Sequence, residues 1–530
     1  MVSFPALAIA LAAALADDGD GALWARASLA LRATAQGGVP SAEVLFDPSA
    51  QAFDAARWLA PGPTEAWLSG IAGVSAGLDV AGWLSFRLDA DTGLLRARRA
   101  PAPASVCLSS QTPSGLAVVA PGACIGGGQG VLRAELPSTA DGPAELTSNG
   151  VPFADAAAET WLVRQLYADA VVGRAGFFHA RAGRQRLRVA DGLVYDDWGL
   201  GVDLDADVGA IGPPIAASLS VFYPTRGWPA EGQWANPVLA ATLEWTPSLG
   251  EWVGLWGAFS HDDAGDAATI LRQGVIASDV VRLLDSAPGS ATYVAASRRI
   301  AALIAAPLRG TSTLGWAGAS GRLEVGRAGE IRFAAGASFG TVGTWVTRLG
   351  EGTRAVDVPA LGWMGSARWR SQIGPLSLSP FFVWLSGASP ATPEQVAGDV
   401  PLRYTGFLSI SPFLTYTNLF FNGGISEAYA DRRAVASGVY ARGVLAPGIE
   451  AGWTPSREIE VTLKAAFLTS DRGGPFGGRI YGPEVDLDVA WSPWPWLAVL
   501  GEADALALGS FFPSQQLAWR VILGVNVATP

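Results

Sequence analysis

Segments of about ten residues in which apolar positions alternate with polar or small ones recur along the chain, separated by turn residues. In 199–208, Leu200, Val202, Leu204 and Val208 fall on one face, and Gly201, Asp203, Asp205 and Asp207 on the other. In 458–469, Ile459, Val461, Leu463, Ala465 and Phe467 alternate with Glu458, Glu460, Thr462 and Lys464. In 484–491, Val485, Leu487, Val489 and Trp491 alternate with Glu484, Asp486 and Asp488, and in 321–326 Leu323 and Val325 stand against Arg322 and Glu324. A period of two sends successive side chains to opposite faces of a strand, so each segment predicts a strand with one apolar and one polar side. About eighteen such segments follow one another from Trp24 onward, and an even number is expected of a closed bacterial barrel. A soluble sandwich alternates in the same way, but with its apolar faces turned inward and more charge outside. One tract breaks the period: from Asp266 to about Leu308 the pattern is that of two helical pieces, 267–284 and 291–306, split at Pro288-Gly289, with Arg272, Arg282, Arg298, Arg299 and Arg309. In a barrel this is a long loop, a cap or a lid near the mouth, in preference to a separate small domain.

Composition makes a membrane the natural surrounding for those apolar faces. Half of the residues are hydrophobic and 16% are charged, against roughly a quarter charged in soluble domains. With 21 Trp and 21 Phe the chain is no disordered segment despite its Gly and Pro content. At 530 residues, ordinary domain arithmetic gives three or four domains, yet no linker-like tract divides it, which predicts one all-β architecture over residues 17–530. Two uncharged stretches, 371–393 and 404–426, are long enough to cross a bilayer as helices but are broken by Pro375, Pro380, Pro390 and Pro393 and by Pro412, Asn418, Gly423 and Gly424. The remaining way to satisfy a backbone in lipid is a transmembrane antiparallel β-barrel. One of about eighteen strands encloses an aqueous lumen.

Aromatic residues cluster at the segment ends, as Phe177-Phe178, Phe381-Phe382 with Trp384, Phe420-Phe421, Trp494 and Trp496, and Phe511-Phe512, where interfacial girdles would place them. Met1 to Ala16 is an apolar run that ends in Ala14-Leu15-Ala16 before Asp17-Asp18, the form of a secretory signal cleaved after Ala16. Export of such a chain predicts the outer membrane of a Gram-negative cell, with outer-membrane lipid as its surrounding partner. Cys107 and Cys124 then form a candidate loop disulfide, contributing roughly 3 kcal/mol through chain entropy. The net charge of −11 excludes nucleic acid as a partner.

The charge-bearing stretch is 165–208. One strand sets Arg184, Arg186 and Arg188 on one face and the next sets Asp203, Asp205 and Asp207 on one face. A turn centred between Tyr195 and Asp196 would pair Arg188 with Asp203, Arg186 with Asp205 and Arg184 with Asp207. Charge on the lipid side costs roughly 2–4 kcal/mol for an Arg near the midplane, so this ladder is expected to face the lumen, joined by Gln165, Tyr167 and Asp169 of the preceding strand. It reads equally as a wall that orders ions or a polar polymer and as a brace of cross-strand pairs worth about 0.2–1 kcal/mol each. His179 falls on the face opposite the arginines, the expected lipid side, and His261 in a loop with Asp262 and Asp263, so neither forms a nucleophile–base pair. With Gly126-Gly127-Gly128 opening no helix, no nucleotide site, metal or other cofactor is expected, and any transport is passive. No enzymatic arrangement stands out.

Tyr167-Ala168-Asp169, then Gly183-Arg184-Gln185-Arg186-Leu187-Arg188, then Asp191-Gly192, resembles the alginate-export type of outer-membrane β-barrel porin, whose members carry a G-R-Q-x-L strand before a D-G turn. Gly452-Trp453-Thr454-Pro455 and Trp491-Ser492-Pro493 look like the family's later hairpins, so the resemblance runs from Glu159 to Val527, its first part being the specific one. It implies a channel that exports a secreted polysaccharide past an arginine-lined constriction, with Arg184, Arg186 and Arg188 on the polymer path and periplasmic export proteins as partners. A general diffusion porin and a structural anchor for a surface assembly are the alternatives.

Overall fold

The computed structural model describes residues 22–40, 61–91, 162–224, 237–271, 310–348, 352–389, 402–421 and 435–529 apart from short gaps within these spans, residues of 282–296, and short strands between 46 and 152. The signal segment lies outside the described residues, and so does Cys124, and with it the Cys107–Cys124 pair.

Eighteen strands close into one antiparallel ring. In chain order they are β1 (Ala22–Gly37), β2 (Glu65–Ala81), β3 (Leu84–Asp91), β4 (Leu162–Val172), β5 (Phe178–Val189) and β6 (Tyr195–Asp207). There follow β7 (Ile215–Pro224), β8 (Val238–Ser248), β9 (Glu251–Asp262), β10 (Ser312–Glu324), β11 (Glu330–Arg348) and β12 (Gly352–Ile373). The ring ends with β13 (Leu376–Leu385), β14 (Val444–Trp453), β15 (Ile459–Thr469), β16 (Ile480–Trp494), β17 (Leu497–Ala507) and β18 (Leu517–Ala528). Each pairs with its neighbour in sequence, and β18 closes on β1 from Ser28↔Ala528 to Gly37↔Trp519. Closure leaves none of these eighteen strands at an open edge of the ring, which is the condition for a sheet in lipid. At one end successive strands follow within a few residues, as Ala81 to Leu84, Ser248 to Glu251, Ile373 to Leu376 and Trp494 to Leu497, and this end holds Ala22 and Ala528; at the other, long stretches of sequence separate Gly37 from Glu65, Asp91 from Leu162, Asp262 from Ser312 and Leu385 from Val444. Bacterial barrels put such short turns in the periplasm and their long loops outside.

The alternation read from the sequence is the alternation of the wall. Leu29 and Leu31 of β1, Leu239 and Leu243 of β8, Leu463 of β15, Val485 and Leu487 of β16, and Val521, Leu523 and Val525 of β18 point outward and are exposed. Trp245, Trp453, Trp491 and the stacked pair Trp494 and Trp496, centroids 5.3 Å apart, lie at the short-turn end as an interfacial girdle. Three of the expected girdle clusters are placed differently. Phe420, Phe421, Phe511 and Phe512 are buried in an aromatic cluster inside the long-loop end, and Phe381 faces inward while Phe382 faces out. Aromatics at a strand end look the same in sequence whether they cover lipid or fill a loop core. The exposed apolar band carries its own prediction. Leu523→Arg, at a position 64% exposed, is expected to lower folding stability in lipid by about 2–4 kcal/mol, read by urea titration of folding into vesicles; unchanged stability would mean that Leu523 does not face lipid.

β11 and β12 have 19 and 22 residues, or roughly 60–70 Å of strand at about 3.3 Å per residue. Even tilted, this exceeds the roughly 30 Å hydrocarbon layer, so their hairpin stands beyond the membrane at the long-loop end. The tract from 266 to 308 is helical at the described residues 267–268, 270–271, 282 and 291–296. Asp262 caps its first turn, accepting hydrogen bonds from the Gly265 and Ala267 amides at 3.0 Å. Ile270 and Leu271 lie beside Ala388, Leu402, Tyr404 and Tyr440, so this tract packs with the 386–443 connection at the barrel mouth.

Candidate functional site

Two pieces of chain enter the barrel from the long-loop end. The first is the tip of the β5–β6 hairpin. Gly183 has φ +132°, and a Cβ there would lie 2.2 Å from the Leu166 oxygen, so only glycine allows β4 this close where β5 departs from the ring. The turn is made by Ala190, Asp191 and Gly192, all with positive φ (55°, 54° and 86°). Leu187, Val189 and Tyr195 share one face, buried on the inner wall with Phe222 of β7 and Val238 of β8, the Tyr195 and Phe222 rings being 4.7 Å apart. The turn reaches β10, four strands away, and the other hairpin face carries Arg186 and Arg188, with side chains 50% and 57% exposed.

The second piece is the described part of residues 402–421, which crosses the lumen. Tyr404 pairs with Pro359 and Leu361 of β12, and Leu408 accepts from the Trp316 indole of β10 at 2.6 Å and donates to Ser338 of β11 at 3.1 Å. Ser409 and Ile410 then bond the Leu193 and Val194 oxygens of the hairpin tip. On the far side the chain ends in a set of anchors on β15 to β18. Glu484, 1% exposed, accepts from Thr417 (3.0 Å) and from the Leu419 (2.6 Å) and Phe420 (3.1 Å) amides. Asn418 donates its amide to Asp486 at 2.9 Å and its side-chain nitrogen to Asp488 (2.9 Å) and Asp504 (3.2 Å). Its two carbonyl oxygens accept from Lys464 at 2.8 Å and Arg520 at 3.0 Å. Charge-assisted bonds of this kind, out of water, are the strong ones.

Charge divides between the walls. The β15–β18 side carries Glu460, Glu484, Asp486, Asp488, Glu502 and Asp504 with Lys464 and Arg520. Across from it, register aligns Arg322, Arg332 and Arg368 on β10 to β12, with Glu330 2.6 Å from Arg322 and 2.9 Å from Arg332. Arg368 stacks on Phe381 and on Tyr416 of the crossing segment (centroid distances 5.8 and 5.2 Å), and Arg188 and Asp191 are within electrostatic reach of Tyr416. Burial raises the Tyr416 phenol above its usual range, so the ring presents a neutral hydroxyl there.

The charged ladder expected between β5 and β6 is not formed. Because the turn falls at Asp191-Gly192, Arg188 stands opposite Asp196, Arg186 opposite Trp198 and Arg184 opposite Leu200. Asp196 accepts from Arg186 at 2.6 Å and lies 3.5 Å from Arg188, while Arg184 is 1% exposed. Asp203 and Asp205 are instead opposite Arg181 and His179. His179, expected on the lipid side, faces the lumen, its Nε2 on Asp169 and its Nδ1 3.3 Å from Asp205. Arg181 lies over the Tyr167 ring at 5.2 Å and 3.7 Å from Asp169. Asp203 accepts from Ser220 at 2.6 Å, Asp207 holds the Gly209 amide at 2.9 Å, and Gln165 stands opposite Asp89. Sequence reasoning missed Asn418, Tyr416, Arg368, Asp504 and Arg520; the alternation of Glu484, Asp486 and Asp488 was visible, without a sign of what they hold.

No family model matches the sequence, and no curated protein matches it. Solved structures that resemble it are OccK8 (OprE) and OccK9 (OpdG) of Pseudomonas aeruginosa and OmpF of Salmonella typhi in complex with daunomycin. OccK8 gives a TM-score of 0.44 at 11% identity over 96% of this chain and 98% of that one. OccK9 gives 0.44 at 12% over 95% and 98%, and OmpF 0.37 at 7% over 96% and 97%. Likenesses this distant add nothing to the register and side-chain contacts described above.

Proposed function

We propose that the chain is a passive outer-membrane channel of a Gram-negative cell, admitting small polar and ionic solutes through a lumen narrowed by the β5–β6 hairpin tip and residues 402–421. The observation that carries this reading is the anchored crossing segment. A polar-walled barrel of this size would otherwise be open, and a strand of chain fixed across it by Glu484, Asp486, Asp488 and Asp504 sets an upper bound on what passes. Export of a secreted polysaccharide, with periplasmic export proteins as partners, is the finer reading that the resemblance to alginate-export barrels suggests. Tyr167 beneath Arg181 and Tyr416 beneath Arg368 support it, since aromatic and guanidinium faces suit a sliding sugar chain. Swelling of proteoliposomes in isosmotic solutes separates the two. Rapid swelling in glycine or arabinose that falls away steeply with oligosaccharide length is expected for the narrowed channel. Swelling in small solutes that oligo-alginate blocks would favour export, and no swelling in any solute would contradict both.

A further inference from the structure

Below the anchors of the crossing segment lies a recess of about 260 Å3 in the lumen wall, lined by Arg32 of β1, Glu460 and Thr462 of β15, Asp488 of β16, Leu500 and Glu502 of β17 and Ile522 of β18. Most charges here are already matched. Asp488 is 3.3 Å from Lys464 and bonded by Asn418, and Glu502 is 2.7 Å from Arg520. Arg32 and Glu460 are the exceptions: among the described residues neither has an ion pair or a side-chain hydrogen bond, although both face one recess. Register explains why they do not neutralise each other. Arg32 stands opposite Gly524 on one side and Ser69 on the other, and Glu460 opposite Ala490, with β16, β17 and β18 between the two strands that carry them. The Arg32 stem passes the bare Cα side of Gly524, where an added Cβ would meet its Cγ at 3.4 Å. Between the two charges the floor is Leu500 and Ile522.

A recess with an unmatched cation at one edge, an unmatched carboxylate at the other and a short apolar floor is complementary to a solute carrying the reverse arrangement. We propose that it is a binding subsite for compact zwitterions, amino acids and short peptides, with the carboxylate end on Arg32 and the ammonium end on Glu460. This rests on the channel reading and names the class of solute that the channel holds in transit. An ion of one sign gains one contact and leaves the other charge unmatched; a zwitterion satisfies both, which is how specificity arises from polar groups left unpaired by the wrong ligand. Thr462 and the apolar floor fix the position between them.

The test is calorimetric titration of the detergent-folded full chain with glycylglycine (zwitterion), acetylglycine (anion) and glycinamide (cation), with KCl conductance of the same preparation measured in parallel. Glycylglycine is expected to bind about tenfold more tightly than either single ion, a difference of about 1.4 kcal/mol. Arg32→Gln is expected to reduce it to the affinity of glycinamide, and Glu460→Gln to that of acetylglycine. The exchanged pair Arg32→Glu with Glu460→Arg is expected to restore binding, because a zwitterion can turn end for end. Equal binding of the three solutes, or a zwitterion preference that survives both single variants, would overturn the subsite even if the channel conducts. Absence of KCl conductance would overturn the channel reading, and the titration would still decide the subsite.

Discussion

Replacing Glu484 by Ala is expected to raise single-channel conductance several-fold and to make the current noisy. The carboxylate is almost wholly buried and takes bonds from the Thr417 hydroxyl and from the Leu419 and Phe420 amides. Each donor left without an acceptor out of water costs about 1–3 kcal/mol. Three of them are a large share of the polar fastening on that side, where Phe420 and Phe421 also pack into the aromatic cluster with Tyr481, so the chain around residues 417–420 spends part of its time out of the lumen rather than stay unsatisfied. Asn418 remains a second fastening through Asp486, Asp488 and Asp504, and Glu484→Ala with Asn418→Ala is expected to release the segment further than either alone. Glu484→Gln keeps two acceptor lone pairs and is expected to fall between. Heat-modifiable mobility on gels checks that the barrel still folds. An intact barrel with unchanged conductance would show that the crossing segment does not limit the current.

The second large effect is on selectivity. Arg186→Gln with Arg188→Gln removes two exposed positive charges from the hairpin tip and leaves Asp196 and Asp191 without the guanidinium groups that neutralise them. At a narrow place in a low-dielectric wall a change of this size acts on every ion that passes. The permeability ratio of potassium to chloride is expected to rise several-fold, read as the reversal potential across a KCl gradient and diminishing as ionic strength rises. The same two substitutions would leave the reversal potential unmoved if the hairpin face lay away from the ion path.

What could be read from the sequence is what the bilayer and the ladder impose everywhere. Lipid tolerates no polar outward side chain, so the period of two survives in 484–491 and 458–469, and strand number and the inward position of the carboxylates follow from it. The β5–β6 register differs from the one that matches Arg184, Arg186 and Arg188 to Asp203, Asp205 and Asp207, because the turn forms at Asp191-Gly192 and sets Arg188 opposite Asp196. Backbone conformation at positive φ decided the turn, and the face of every residue in the hairpin followed from it. His179 changed sides for the same reason. The constriction was illegible for another cause. Asn418 lies in a stretch without periodicity, and its partners are 46 to 102 positions away in the chain; nothing local in 404–426 records where a segment goes once it turns into the lumen.

Single-channel recording of the folded wild-type chain in a planar bilayer bears most directly on the claim that this is a conducting barrel narrowed by its own chain. A steady, ohmic current well below that of the Glu484→Ala, Asn418→Ala variant is the expected result. A bilayer that stays silent although the barrel has inserted, or a wild-type current equal to that of the released variant, would contradict it.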